Sequence, residues 1–142
     1  MSVNKWADLI ARVLLAQIFL FAGVGKMMDY EGTQEYMLSG HVPGVLLPAV
    51  ILLELGGGAA LVVGWRTRPV SLALAAFCIV AALLFHAHFK DDIQTLLFLK
   101  DLAIAGGLLL LGARGPDAIS LDARRIVARN AAMPHTPKSR VP

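Results

Sequence analysis

The chain has 142 residues, of which 57% are hydrophobic and only 16% charged, with a net charge of +3. A soluble domain this short must cover a large relative surface with polar side chains, so the composition excludes one and makes lipid the expected solvent. The basic excess lies beside apolar runs and in the C-terminal stretch, without a stacking platform or groove-reading element, which argues against nucleic acid and for anionic lipid head groups.

Four segments read as membrane-spanning helices, at about 9–25, 45–65, 69–86 and 93–112. Each is close to the roughly 20 residues that a helix needs to cross the hydrocarbon core, given some tilt. Lipid offers the backbone no hydrogen bonds, and the alternation of a barrel strand is absent, so helices are expected. The first segment follows Lys5, as the apolar centre of a signal peptide does, but Arg12 and Gln17 interrupt its centre and no small-x-small cleavage site follows. It is expected to be retained.

The loop over 27–44 holds Asp29, Glu31 and Glu35 but no Lys or Arg, and predicts a short helix at 33–39 ended by Gly40. Arg66, Thr67 and Arg68 predict a tight link, with Pro69 opening the third span. The third loop, 87–92, sets Lys90 against Asp91 and Asp92. After Gly115-Pro116 the character changes. Ser120 predicts the cap of a short helix reaching about Ala131, with Leu121, Arg124, Arg125 and Arg129 suited to a membrane surface. From Pro134 onward disorder is expected. The domain organisation is therefore a four-helix transmembrane domain over 1–116 and a basic cytoplasmic tail, partly disordered, over 117–142.

Basic residues set the orientation. Ten fall on the side of the termini and the second loop, against two, Lys26 and Lys90, on the other. Both termini are expected in the cytoplasm, with the first and third loops outside.

Charged groups inside spans cost about 2.5–3.5 kcal/mol each, so those present need a reason. Glu54 lies nine residues after Val45, about 14 Å down its helix at 1.5 Å per residue. Lys100 lies seven residues after Ile93, about 10 Å down. Lys26, His86 and His88 sit at the outer ends of their spans, and Asp101 follows Lys100. On the first helix Arg12, Ala16, Phe19, Gly23 and Lys26 share a face; on the second Glu54 shares one with Gly57, Gly58 and Leu61; on the fourth Lys100 aligns with Ala103, Ile104 and Gly107. Gly56, Ala60 and Gly64 make a small-xxx-small series for close helix contact. Two readings stand side by side. One is a structural ion-pair network, Glu54 with Lys100 and Asp101 with Lys26 or Arg12. The other is a shared polar cavity open to the outside, with Arg12, Lys26, Glu54, His86, His88, Lys100 and Asp101 as its candidates.

His86 and His88, with Asp91 and Asp92 nearby, have metal-ligand chemistry, but two residues apart on a helix they point about 200° away from each other. They are weak candidates for a metal, and weaker for haem. Trp6, Trp65 and Phe89 read as interface anchors. Cys78, the lone cysteine, excludes an intrachain disulfide and reads as a small packing residue. No phosphate loop, dinucleotide fingerprint or catalytic triad is visible.

The chain resembles the DoxX family over about Arg12 to Asp122. The likeness is carried by Arg12-Val-Leu-Leu, the run Phe19 to Lys26, Leu53-Glu54-Leu-Gly-Gly-Gly into Gly64, and Thr67-Arg68-Pro69. It continues through Phe85-His86-Ala87-His88-Phe89, Phe98-Leu99-Lys100-Asp101-Leu102-Ala103, Gly115-Pro116 and Ser120-Leu121-Asp122. Asp101 departs from the pattern, where Asn is expected as often. The resemblance implies a multi-pass protein of the bacterial inner membrane and a redox-linked role as a membrane subunit or accessory protein, in the manner of a quinone-linked oxidoreductase subunit. No cofactor is evident in the residues; quinone is the one implied, and a redox partner protein or a second copy of the chain would be the partners. A small-anion transporter or permeability factor drawn by Lys26 and Lys100, and a non-catalytic assembly protein, are the competing readings.

Overall fold

The computed structural model describes residues 2–132, so the disorder expected from Pro134 onward lies outside the described residues. Six helices follow one another: α1 (Ser2–Met28), α2 (Tyr30–Ser39), α3 (Leu47–Val63) after one turn of 3-10 helix at Gly44–Leu46, α4 (Thr67–Phe85), α5 (Asp92–Arg114) and α6 (Leu121–Ala132). Among the described residues there is no strand. Four stretches, Lys5–Met28, Gly44–Val63, Thr67–Phe85 and Asp92–Arg114, are long and apolar enough to cross a membrane.

Local chemistry explains the boundaries, and it moves several of them. Gly64 adopts a left-handed conformation (φ 69°) and closes α3 in a Schellman motif: Trp65 N donates to Ala60 O at 2.9 Å and Gly64 N to Leu61 O at 3.2 Å. The span therefore stops at Val63, short of the expected residue 65. Arg66 is also left-handed (φ 48°), which turns the chain back so that α4 begins at Thr67, two residues before the expected start. Pro69 then occupies the first turn, where its missing N–H is not needed. α2 starts at Tyr30, three residues before the expected start, because the Asp29 side chain caps it through Gly32 N at 3.2 Å. Asp91 caps α5 and Ser120 caps α6, the latter accepting from Ala123 N at 3.1 Å.

The four spans pack as two close pairs, α1 with α3 and α4 with α5. Their shared core holds Ala16, Phe19, Leu61, Leu74, Cys78 and Leu108, a mixture of small and large side chains that lets the helices approach. On α1 the buried stripe runs Arg12, Ala16, Phe19 and Gly23. On α3 it runs Glu54, Gly57, Gly58 and Leu61. On α5 the buried residues are Ala105, Leu108, Leu111 and Gly112, so the inward face is led by Asp101, while Ala103 on the Lys100 side is exposed.

The glycines divide by what surrounds them. A Cβ on Gly58 would meet Leu20 at 2.9 Å and the Ala16 carbonyl at 3.3 Å, and one on Gly57 would meet Leu74 at 3.1 Å. Ala60 is buried and Gly107 packs on Leu15. Gly56 has nothing within 4 Å, so it is not a packing position, and Gly64, besides capping the helix, lies against Arg12 and Ser120. Gly58→Ala is expected to cost about 1–2 kcal/mol through overpacking against backbone. Gly56→Ala should be neutral or stabilising by up to about 1 kcal/mol, from helix propensity alone. Thermal unfolding in mild detergent checks the pair, and the reverse ranking would refute this packing.

The segment after α5 does not hang free. Asp117, Ile119, Ser120 and Asp122 fold back on the bundle. Both carboxylate oxygens of Asp122 are used: Oδ1 accepts from Arg66 N at 2.9 Å and Oδ2 from Thr67 N at 2.8 Å, while its own N donates to Gly64 O at 3.1 Å. Burial alone would push the Asp122 carboxyl up, but the Thr67 and Arg66 N–H donors and nearby Arg125 outweigh it and hold it below the usual carboxylate range. A carboxyl held low in the fold contributes stability that is present above its unfolded value, near pH 4, and is lost as pH falls through the folded value. The thermal midpoint should therefore drop below about pH 4, and Asp122→Asn should flatten that acid limb.

Candidate functional site

The four spans and α2 enclose a cavity of about 440 Å³ at the end of the bundle away from the termini. Helical spacing puts its residues there. On α1, Ile18, Ala22 and Lys26 recur every fourth position and face it; on α3, Val50 and Glu54 do the same. Phe77, Cys78, Ala81 and Phe85 give α4's apolar wall, and Lys100, Asp101 and Ile104 come from α5. Tyr36 and Met37 of α2 close the top.

One wall carries a buried ion pair. Lys26 Nζ donates to Glu54 Oε1 at 2.8 Å; the Glu54 side chain is 3% exposed and that of Lys26 26%. The second carboxylate oxygen, Oε2, is buried without a hydrogen-bond partner. The register of α1 on α3 produces this pair. Gly23 lies against Glu54 and Leu55, and Lys26, one turn on, reaches back because helical side chains tilt toward the N-terminus. A buried carboxylate needs such a partner, since its charge alone would be costly in lipid.

The other wall is built on His86, the residue that ends α4. Its Nδ1 faces Gln94 Oε1 at 2.7 Å, and its Nε2 lies 3.8 Å from Asp101 Oδ2. With Nδ1 donating to Gln94, Nε2 is the free ring nitrogen turned toward the carboxylate. Lys100 is exposed at the cavity's edge and has no carboxylate within 4 Å among the described residues. Above them Tyr36 stacks on Phe85, ring centroids 4.9 Å apart and 17° from parallel. The Phe85 ring fills the space a side chain on Gly40 would need, which ties α2 to α4. Burial, and then the Asp101 carboxylate, push the Tyr36 phenol above its ordinary value, so it is a neutral hydroxyl at physiological pH.

Five of the seven residues expected at a polar cavity, Lys26, Glu54, His86, Lys100 and Asp101, line this one. The pairings differ from those expected from sequence. Glu54 bonds Lys26, not Lys100, and Asp101 faces His86, not Lys26 or Arg12. Arg12 is absent from the lining because it sits 14 residues before Lys26, about 21 Å along α1 and at the opposite end. There its guanidinium, 1% exposed, meets Asp117 at 3.0 Å and donates to Ile119 O at 2.6 Å. His88 lies beyond the end of α4 and is exposed, so the two histidines do not converge. Among the described residues no three His, Cys, Asp or Glu side chains gather as a metal would require. Tyr36, Gln94, Asp117 and Asp122 were not legible as functional. The one signal was that a buried arginine demands a carboxylate, which points to some Asp or Glu without saying which.

Chemically, the site is an apolar chamber with a half-satisfied carboxylate on one side and a histidine, a carboxylate and a lysine on the other. That arrangement suits a small amphipathic molecule whose polar atoms can accept or share protons. A model of the DoxX family matches residues 7–87. The chain is similar to inner membrane protein YqjF of Escherichia coli (strain K12), with 48% identity over 114 residues, covering 80% of this chain and 88% of that protein. It is also similar to inner membrane protein YphA of the same strain, 36% identical over 124 residues, covering 82% and 88%. No solved structure matches.

Proposed function

The chain belongs to the DoxX family and is a multi-pass protein of the inner membrane, and from that premise we propose that it is a redox-linked accessory subunit that receives a quinone head group in the cavity. The observation that carries this reading is Glu54: a deeply buried carboxylate in an apolar chamber, with one oxygen held by Lys26 and the other bare. An orphaned buried acceptor costs about 1–3 kcal/mol, so a ligand that donates to this oxygen would be favoured. The bare oxygen is suited to hold or release a proton at the ligand. In this reading Lys100 and the Tyr36 hydroxyl donate to the carbonyl oxygens of a quinone, and Phe77 and Ile104 border its ring. A bound quinone would supply two-electron chemistry; the apolar walls would shield it from water, and Glu54 Oε2 would exchange a proton with it. The distribution of basic residues supports a cytoplasmic position for the termini and an outward position for the cavity.

Neutralisation of Lys26 by Glu54 weakens the small-anion reading, which would keep only Lys100 as a free attractor. The test is calorimetric titration of the detergent-purified protein with a short-chain benzoquinone. The wild type is expected to bind, and Glu54→Gln to bind about tenfold more weakly, the size of a lost charged hydrogen bond, with an unchanged yield of folded protein. Absence of binding by the wild type would overturn the reading. An equal loss of folded protein would assign Glu54 to architecture alone.

A further inference from the structure

Two basic segments, far apart in sequence, share an edge at the end of the bundle that carries the termini. The carboxylate of Asp122, spent on the N–H groups of Arg66 and Thr67, pins the start of α6 to the α3–α4 turn. Arg68 reaches across the same edge onto Gly115, whose positive φ (79°) and missing side chain leave room for the guanidinium. These contacts gather Arg66, Arg68, Arg124 and Arg125, with Arg129 one turn further along α6. All five are exposed, and none has a carboxylate within 4 Å among the described residues. The neighbouring acids are already committed: Asp117 to Arg12, Asp8 to Arg114, and Asp122 to the backbone. With Asp122 the one acid near Arg125 among the described residues, the five arginines leave the rim with a net positive charge.

Its level in the bilayer is set by the same contacts. α6 begins where α3 and α5 end, beside Trp65, over whose ring the Arg66 guanidinium lies at 5.7 Å. Tryptophan at a span's end marks the membrane–water interface. α6 buries none of its residues in the bundle, and away from its arginines it exposes Ile126 and Val127. An amphipathic helix with an arginine face and an apolar face, fixed at that depth, fits the head-group boundary.

We propose that this rim is a binding site for anionic phospholipid, with the phosphate held by guanidiniums from both segments and Ile126 and Val127 turned toward the acyl chains. Guanidinium is suited to this task because its planar fork matches phosphate oxygens in pairs, where an ammonium offers a point charge. The site stands independently of the cavity and its ligand. α6 also lies outside the 7–87 stretch matched by the family.

Native mass spectrometry of the full chain, incubated with phosphatidylglycerol or phosphatidylcholine, reads the lipid retained. Phosphatidylglycerol is expected to be retained preferentially. R124Q/R125Q/R129Q and R66Q/R68Q should both weaken it, by about fivefold for each arginine removed, because the site spans both segments. Thermal midpoints of the variants confirm that they fold. Equal retention of the two lipids, or no change in either variant, would overturn the site. Displacement of phosphatidylglycerol by millimolar inorganic phosphate would reassign it to free phosphate. A spin label at Val127→Cys in phosphatidylglycerol nanodiscs is expected to be reached by oxygen and shielded from a water-soluble nickel reagent. Shielding from both would mean that a protein partner covers this face, against the proposal.

Discussion

Asp117→Ala should destabilise the protein more than any other substitution considered, by about 3–5 kcal/mol, the usual cost of stranding one partner of a buried ion pair. The reason lies in Arg12. Its side chain is 1% exposed, and it cannot shed its proton to escape the burial. Asp117 supplies the only opposite charge within 4 Å of it among the described residues, and the Ile119 carbonyl accepts just one of its N–H groups. With Asp117 gone, the guanidinium is left charged in a site packed against Gly64 and Ser120. The thermal midpoint in mild detergent should fall by about 10 °C, scaled to a chain of this size. Arg12→Leu alone should also destabilise, because the Asp117 side chain is only 6% exposed and loses its partner. Arg12→Leu/Asp117→Leu should recover most of the loss, since an apolar pair avoids desolvation altogether. A midpoint for Asp117→Ala within 2 °C of wild type would show that water or lipid phosphate already shares the charge of Arg12.

The second large effect is expected at the cavity. Lys26→Met removes the one cation bonded to Glu54 and should cost about 2–3 kcal/mol. The figure is smaller than for Asp117 because Lys26 is 26% exposed, so its removal opens that side of Glu54 to solvent, whereas Arg12 is 1% exposed. Lys26→Met/Glu54→Gln should cost less than the two single changes added together, with a coupling of about 1–3 kcal/mol. A four-way comparison of thermal midpoints measures it. Simple additivity would show that the 2.8 Å contact contributes nothing beyond its two separate side chains. The experiment also separates architecture from ligand binding, because the quinone titration on Glu54→Gln reads affinity while this cycle reads stability.

Local chemistry in the sequence is sufficient for most of the scaffold. Four apolar runs of spanning length determined four helices, since hydropathy and the backbone's need for internal hydrogen bonds act on each segment alone. The caps at Ser120 and Gly40 were legible for the same reason, as was the shared face of Glu54, Gly57, Gly58 and Leu61. Depth, counted at a fixed rise per residue, was enough to put Lys26, Glu54 and Lys100 in the same half of the bilayer.

Tertiary structure alone decided who meets whom. Choosing between Lys26 and Lys100 as the partner of Glu54 requires the rotation and sliding of α1 on α3 to within one turn, which Gly23 and Gly58 set by packing against Leu55 and Leu20. Arg12 finds Asp117 across 105 positions of chain, and Asp122 finds Arg66 and Thr67 across 56 and 55. Nothing in the neighbourhood of any of these residues names its partner. Hydropathy is a property of one segment and survives being read alone, whereas an ion pair exists only once close packing has fixed two segments against each other.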